Sequence, residues 1–179
     1  MKMMVIIAHP NLKDSRANSA MAKELSNHST IQVRKLYEEY PDGKIDIERE
    51  QQLLLGVDRI VLQFPFYWYS CPPLLKEWFD QVLTYGWAFG PGGEALKGKD
   101  FIVATTTGGP ENEYRSGGRN WFTISEYLRP IQATINRCNG TFLPAFATYN
   151  ADRATGAALK EAAKRYLDHI LAPAEALYR

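Results

Sequence analysis

Residues 59–82 read RIVLQFPFYWYSCPPLLKEWFDQV, and the change of rhythm inside them decides the architecture. Arg59 to Phe64 is a short apolar run rich in β-branched residues, the pattern of a strand covered on both faces. From Pro73 onward Leu74, Leu75, Trp78, Phe79 and Val82 recur at helical spacing. Pro73 stands in the first turn, where its missing N–H costs little. A buried strand handing over to an amphipathic helix is one half of a βαβ unit. At the junction, five of the six residues from Phe64 to Tyr69 are aromatic. Alternation cannot bury all of these rings on one side of a sheet, so some must line whatever crevice opens there.

The same alternation runs along the whole chain. Further strand-like segments are Met3 to Ala8, Ile31 to Leu36, Phe101 to Thr106 and Gly140 to Phe146. Helical stripes lie between them: Ala17, Met21 and Leu25 after the capping candidates Asp14 and Ser15; a weaker pattern from about Asp46 to Leu55; Ile124, Tyr127, Leu128, Ile131 and Ile135; and Leu159, Ala163, Tyr166, Leu167 and Ile170. Strands alternating with helices predict an α/β fold, a three-layer sandwich around a five-stranded parallel sheet. Five strands favour the 2-1-3-4-5 order of a flavodoxin-like fold, whose ligand crevice lies beyond the carboxyl ends of the strands, at the switch between the first and third.

Composition narrows the class of function. A chain of 179 residues suffices for one sizeable core, and a single domain over 1–179 is expected. The 45% hydrophobic and 23% charged fractions are ordinary, and a formal charge of +1 gives no broad field for capturing nucleic acid or an anionic membrane. Met3 to Ala8 is too short to span a bilayer and lacks the features of a signal peptide. Cys71 and Cys138 are far apart and form no CxxC, so neither a disulfide framework nor a metal site is expected. A reducing, cytoplasmic setting follows.

Three strand ends then carry the chemistry. After the first strand, AHPNLKDSRANSAM supplies His9, Asn11, Ser15, Arg16 and Asn18 at the start of a helix, where free N–H groups favour a phosphate. Neither GxGxxG nor a GxxxxGK[ST] loop is present. The plainer alternative is that Ser15 only caps the helix and His9 bonds a neighbouring carbonyl. After the third strand, Pro65, Phe66, Tyr67, Trp68 and Tyr69 offer flat walls and backbone amides to a planar conjugated ligand, the alternative being a cluster packed under the loop or at a subunit contact. After the fourth, TTTGGPENEY brings threonine hydroxyls and paired glycines that let the backbone approach a ligand closely.

Taken together, AHPNLKDSRAN, FPFYWYSCPPLLKEWFD, LTYGWAFGPGGEALKGK and TTTGGPENEY resemble the flavodoxin-like NAD(P)H:quinone oxidoreductases over nearly the whole chain. Within that family the sequence is most similar to short bacterial members, including ancillary oxidoreductase subunits of glutathione-gated potassium efflux systems. The resemblance implies a flavin, FMN being favoured by the chain's small size with FAD the alternative, its phosphate and ribityl region on His9, Ser15, Arg16 and Asn18. Its isoalloxazine edge would meet Pro65, Phe66, Tyr67, Trp68 and Tyr69, and its pyrimidine side Thr106, Thr107, Gly108 and Gly109. NAD(P)H would deliver hydride to N5 and a quinone would take it from the same atom in a ping-pong cycle, with amides of the Thr107 to Gly109 loop stabilising the charge. Tyr114 falls where the larger quinone reductases keep a tyrosine close to the flavin. Those enzymes follow it with a histidine, whereas this chain continues RSGGRN and keeps its three histidines elsewhere. Charge compensation is therefore expected from Tyr114, from an arginine such as Arg119, or from backbone amides. Cys71 has no adjacent cationic partner and is read as structural. Family members commonly form homodimers with the active site at the interface, and Tyr85, Trp87 and Phe89, in a Gly-rich loop unable to bury them all, are the expected contributors to that substrate wall.

Two other readings compete. One is a regulatory subunit that docks peripherally, at the inner face of the cell membrane, on a potassium efflux transporter. The other is an electron-transfer flavodoxin, against which the balanced charge and the aromatic crevice both speak.

Overall fold

The computed structural model describes residues 1–178. In chain order the main elements are β1 (Met3–Ile7), α1 (Arg16–Leu25), β2 (Ile31–Lys35), α2 (Leu36–Glu39), α3 (Ile47–Leu55), β3 (Arg59–Pro65), α4 (Pro73–Val82), β4 (Asp100–Thr106), α5 (Ile124–Tyr127), α6 (Arg129–Arg137), β5 (Thr141–Phe142), β6 (Phe146–Thr148), α7 (Gly156–Leu171) and α8 (Ala174–Leu177). The sheet runs β2-β1-β3-β4-β5, with β6 also paired to β4, and every ladder between these strands is parallel. The expected flavodoxin-like order is the one observed.

The apolar runs form the central strands because both of their faces are covered. Every residue of β1 and β3 is buried. Met4, Ile6, Ile60, Leu62, Phe64 and Val103 pack on one side with Leu54, Leu75, Trp78, Val82 and Ile135. Met3, Val5, Ile7, Val61, Ile102 and Ala104 pack on the other with Met21, Leu25, Tyr166 and Ile170. Helices α1 and α7 therefore cover one face, and α3, α4 and α6 the other. Arg59 closes the amino end of the sheet. Its guanidinium is buried, pairs with Asp100 at 2.9 Å and donates to the carbonyls of Ile170 and Ala172, which end α7.

Two segments differ from the sequence pattern, and proline explains both. The fifth strand, expected over Gly140 to Phe146, is instead two short pieces separated by Leu143, Pro144 and Ala145. Pro144 has no N–H for a ladder, and its carbonyl turns away to accept from His169 Nε2 at 2.8 Å. The apolar stripe from Ile124 to Ile135 is split into α5 and α6, because Pro130 cannot donate to residue 126 and its ring crowds that turn.

A charged network under the edge strand was not apparent from periodicity. Glu50 on α3 is 0% exposed. One of its oxygens accepts from Arg34 of β2 at 2.5 Å and from the Tyr40 hydroxyl at 2.8 Å, and the other accepts from Trp78 Nε1 at 3.0 Å. Burial, reinforced by Glu50, pushes the Tyr40 phenol up to about 12. Removing Glu50 would leave the Tyr40 and Trp78 donors unpaired in the interior and Arg34 with Glu39 alone, at 2.9 Å. Glu50→Ala should therefore lower the free energy of urea unfolding by about 3–5 kcal/mol, and a loss below about 1 kcal/mol would show that the Arg34–Glu39 pair suffices.

Candidate cofactor and substrate site

The parallel register brings three strand ends level. Ile7 lies opposite Gln63 and Pro65 opposite Thr106, while the N–H of Phe66 donates to the Thr106 carbonyl at 2.9 Å. Above these ends opens a cavity of about 450 Å³. Ten of the residues that the resemblance assigns to a cofactor line it: His9, Ser15, Arg16, Asn18, Pro65, Phe66, Tyr67, Thr106, Thr107 and Gly108. Asn11, Asp14, Ala17, Ala151 and Asp152 line it as well. Trp68, Tyr69, Gly109, Tyr114, Tyr85, Trp87, Phe89 and Arg119 are not among its lining residues.

The polar end is built on the first turn of α1. Ser15 caps the helix, its hydroxyl accepting from the Asn18 N–H at 3.2 Å, which leaves the early N–H groups of the turn directed at the cavity. His9 Nδ1 accepts from the N–H of Asn11 at 3.0 Å, so in the neutral ring Nε2 carries the hydrogen. Burial pulls the His9 pKa down and favours that neutral form. Arg16 lines the cavity, but its terminal nitrogens donate to the carbonyls of Asp152 at 2.9 Å and Ala154 at 2.6 Å. It braces the loop after β6. That loop bears on Gly108, where a Cβ would lie 2.7 Å from the Asp152 carboxylate, while one on Gly109 would lie 3.0 Å from the carboxylate of Glu113, in the turn that follows β4. The Thr107 N–H is spent on the Thr148 carbonyl at 2.9 Å, so within the Thr107 to Gly109 loop the amides of Gly108 and Gly109 are the ones with no protein acceptor among the described residues.

The aromatic end is a tight turn. Tyr67 and Ser70 bridge, the Ser70 N–H donating to the Tyr67 carbonyl at 2.9 Å, and the two central residues, Trp68 and Tyr69, have φ of 46° and 63°. Two successive positive φ values mark a type I′ turn, a place for Asn-Gly rather than for two aromatics. Each such residue costs on the order of 1–2 kcal/mol. Trp68 is 93% exposed and gains no packing in return. Tyr69 stacks on Tyr127 with centroids 4.9 Å apart, and its hydroxyl donates to Asn120 Oδ1 at 3.3 Å. Phe66 is the hub of the cluster, edge-on to Tyr69, Tyr114 and Tyr127.

Tyr114 lies behind Phe66 and against Tyr149, and burial pushes its phenol above the ordinary range, with a contact to the Thr107 hydroxyl partly offsetting this. Arg119 is exposed, and Asn120, the sixth residue after Tyr114, stands nearer the glycine pair. Tyr85 is 69% exposed on its loop, and Phe89 lines a separate cavity between α4 and α6, beneath the Arg137 guanidinium. Burial raises the Cys71 thiol, in keeping with its structural reading. No cluster of metal-ligating side chains occurs among the described residues.

Two measurements test this geometry. In the ligand-free protein the His9 ring should titrate below 6.5 by NMR. The unfolded chain then takes up a proton that the folded site resists, so this contribution to stability is complete above about pH 6.5, the unfolded value, and is lost as pH falls from there through the lower folded pKa. A His9 pKa above 6.5 would contradict the buried, neutral assignment. For the turn, Trp68→Asn should raise thermal or urea stability by about 1 kcal/mol, since the residue is relieved of strain and gives up no packing; a destabilised variant would mean that the indole makes contacts absent from this structure.

Comparison with known proteins agrees with the architecture. A family profile described as Flavodoxin-like fold matches residues 1–170. The chain is 49% identical over 170 residues to the Uncharacterized NAD(P)H oxidoreductase YdeQ of Bacillus subtilis (strain 168), covering 95% of this chain and 86% of that one. It is 42% identical over 172 residues to the Glutathione-regulated potassium-efflux system ancillary protein KefG of Enterobacter sp. (strain 638), covering 96% and 94%. Among solved structures, general stress protein 14 of Treponema denticola in complex with FMN superposes with a TM-score of 0.92 at 39% identity, covering 99% of both chains. An NADPH-quinone reductase of P. pentosaceus superposes at 0.88 and 34%, covering 97% and 99%. A chain from a structure described as a thermophilic tryptophan halogenase of Streptomycin violaceusniger superposes at 0.93 and 50%, covering 95% and 99%. With its strand order, its switch-point cleft and matches that run almost from end to end, the chain belongs to the family of flavodoxin-like proteins.

Proposed function

We propose that the chain is an FMN-dependent NAD(P)H:quinone oxidoreductase. The observation that carries this reading is the shape of the cavity, with hydroxyls, a neutral histidine and a helix start at one end and an aromatic turn at the other. Its volume lies in the range of small-molecule sites, and its two ends answer an anionic phosphate and a planar ring. The relatives named oxidoreductase or quinone reductase, and the neighbour that holds FMN, support it.

When bound, FMN supplies hydride chemistry at N5 between NAD(P)H and a quinone. The chain binds and orients. His9 Nε2–H, the Ser15 hydroxyl and the first turn of α1 would hold the phosphate. The amides of the Tyr67 to Tyr69 turn, fanned out by the two positive φ values, and those of Gly108 and Gly109 would face the ring edge and meet negative charge there. Tyr114, held as a neutral phenol by burial, would donate a hydrogen bond rather than exchange a proton. Trp68, Tyr85 and Trp121 are exposed aromatics that a second copy of the chain would cover, which makes a homodimer part of the proposal. The donor and the acceptor would share one open face and follow one another.

The absorbance spectrum of the purified, FMN-reconstituted protein, followed by anaerobic addition of NADPH, tests the reading. Flavin peaks that bleach and then recover on addition of a quinone are expected, with parallel double-reciprocal plots in the steady state. Absent peaks, or peaks that NADPH leaves unbleached, would remove the enzyme reading. Tyr114→Phe should keep its flavin and lose roughly tenfold in turnover, the weight of one hydrogen bond to developing charge; unchanged turnover would take Tyr114 out of the mechanism.

The likeness to KefG favours one second reading, an ancillary protein docked on a potassium efflux transporter. No described helix is long and apolar enough to cross a membrane, so this docking would be peripheral. Efflux activated by a variant unable to reduce quinones would favour it over the enzyme.

A further inference from the structure

Beneath the cavity, a chain of hydrogen bonds crosses the protein from α7 to the strand ends. The Tyr166 hydroxyl donates to Gln63 Oε1 at 3.1 Å. Gln63 Nε2 donates to the Asn18 carbonyl at 3.1 Å and to Asn18 Oδ1 at 3.3 Å. Asn18 Nδ2 then donates to Thr106 Oγ1 at 2.9 Å. All four residues are buried, and Asn18 and Thr106 reach the cavity while Gln63 and Tyr166 do not.

The direction of this chain is not a matter of choice. A backbone carbonyl can only accept, so the Gln63 group facing the Asn18 carbonyl must be its NH₂. The other end of that amide is then an acceptor, which the Tyr166 hydroxyl fills. Burial pushes the Tyr166 phenol up, which favours the protonated form that donates to Gln63. The second hydrogen of Gln63 fixes the Asn18 oxygen toward itself and hence the Asn18 NH₂ toward Thr106. Thr106 Oγ1 is thereby made an acceptor on its protein side, and among the described residues no protein group takes its own hydrogen. One of its two lone pairs is thereby filled, and its hydrogen is left to find an acceptor in the cavity.

We infer that Gln63 and Tyr166 are positioning residues that hold the Asn18 NH₂ on Thr106, so that one lone pair of the Thr106 hydroxyl is filled, its hydrogen is turned into the cavity, and the site favours a ligand presenting an acceptor oxygen or unprotonated nitrogen at that point. The inference rests on the flavin reading for the identity of the ligand, though the orientation itself belongs to the protein alone. A ligand with an N–H or O–H at that point must use the second lone pair and leave the threonine hydrogen unpaired, so it binds more weakly.

The test is a double-mutant cycle read as FMN dissociation constants from flavin fluorescence quenching. Gln63→Leu, a change at a residue that does not line the cavity, and Thr106→Val should each weaken binding about five- to tenfold, the weight of a single hydrogen bond. The double variant should be within about twofold of either single one, because both remove the same donor, and Thr106→Ser should bind like the parent chain. Multiplying effects, or a Thr106→Val protein with parental affinity, would overturn the inference. A neutron diffraction map of the ligand-free parent gives a readout that needs no flavin: deuterium on Thr106 Oγ1 should point into the cavity and the Gln63 ND₂ at the Asn18 carbonyl, and the reverse orientation of either would refute the inference. A parent chain that binds no FMN would sink the flavin reading and leave that map to decide the orientation.

Discussion

Parallel strands covered on both faces have nowhere to meet a ligand except at their ends. In β1 and β3 every side chain is taken by the two helical layers, so the last residues of these strands and the turns that follow are where polar groups remain available. Each local feature of the cleft follows from that confinement. Backbone donors at the start of α1 face the same space as the hydroxyls that end β4, because parallel register puts Pro65 level with Thr106 and Ile7 level with Gln63.

The strain in the Trp68-Tyr69 turn follows from the same confinement. Two aromatics with positive φ are carried on a short bridge between a buried strand and a helix that starts at Pro73, and the chain between Pro65 and Pro73 has little freedom to relax. The rings around it form one cluster through Phe66 and Tyr127, which holds the backbone in a form that these residues would not choose alone. Orientation of the turn amides and exposure of the indole are two results of one constraint.

How much of this could be read from the sequence depended on how far apart the interacting residues lie. A strand buried on both faces is written as a continuous apolar run, and a helix as a stripe, so the sheet order and the ends of β1, β3 and β4 were accessible, together with most of the residues lining the cavity. Asp152 and Ala151 were not, because their approach depends on β6 pairing with β4 after a proline break, and the apolar run reads as one strand ending at Phe146, where β6 only begins. Arg16 was placed correctly but its guanidinium is bound to carbonyls more than a hundred residues away, a partnership that local pattern cannot encode. Nor could YWYS announce a type I′ turn, since the asparagine and glycine that usually mark one are absent. The Glu50 network joins β2, α3, α4 and the residue that follows α2, and left no periodic trace.

The bracing of the 150–154 loop by Arg16 bears on how the protein receives its ligand. A guanidinium held by two carbonyls ties the first turn of α1 to the loop that follows β6, so the floor and one wall of the polar end are a single unit. Arg16 thus shapes the cleft through backbone more than a hundred residues away, and a shorter side chain there would loosen both at once while leaving every hydroxyl of the site in place.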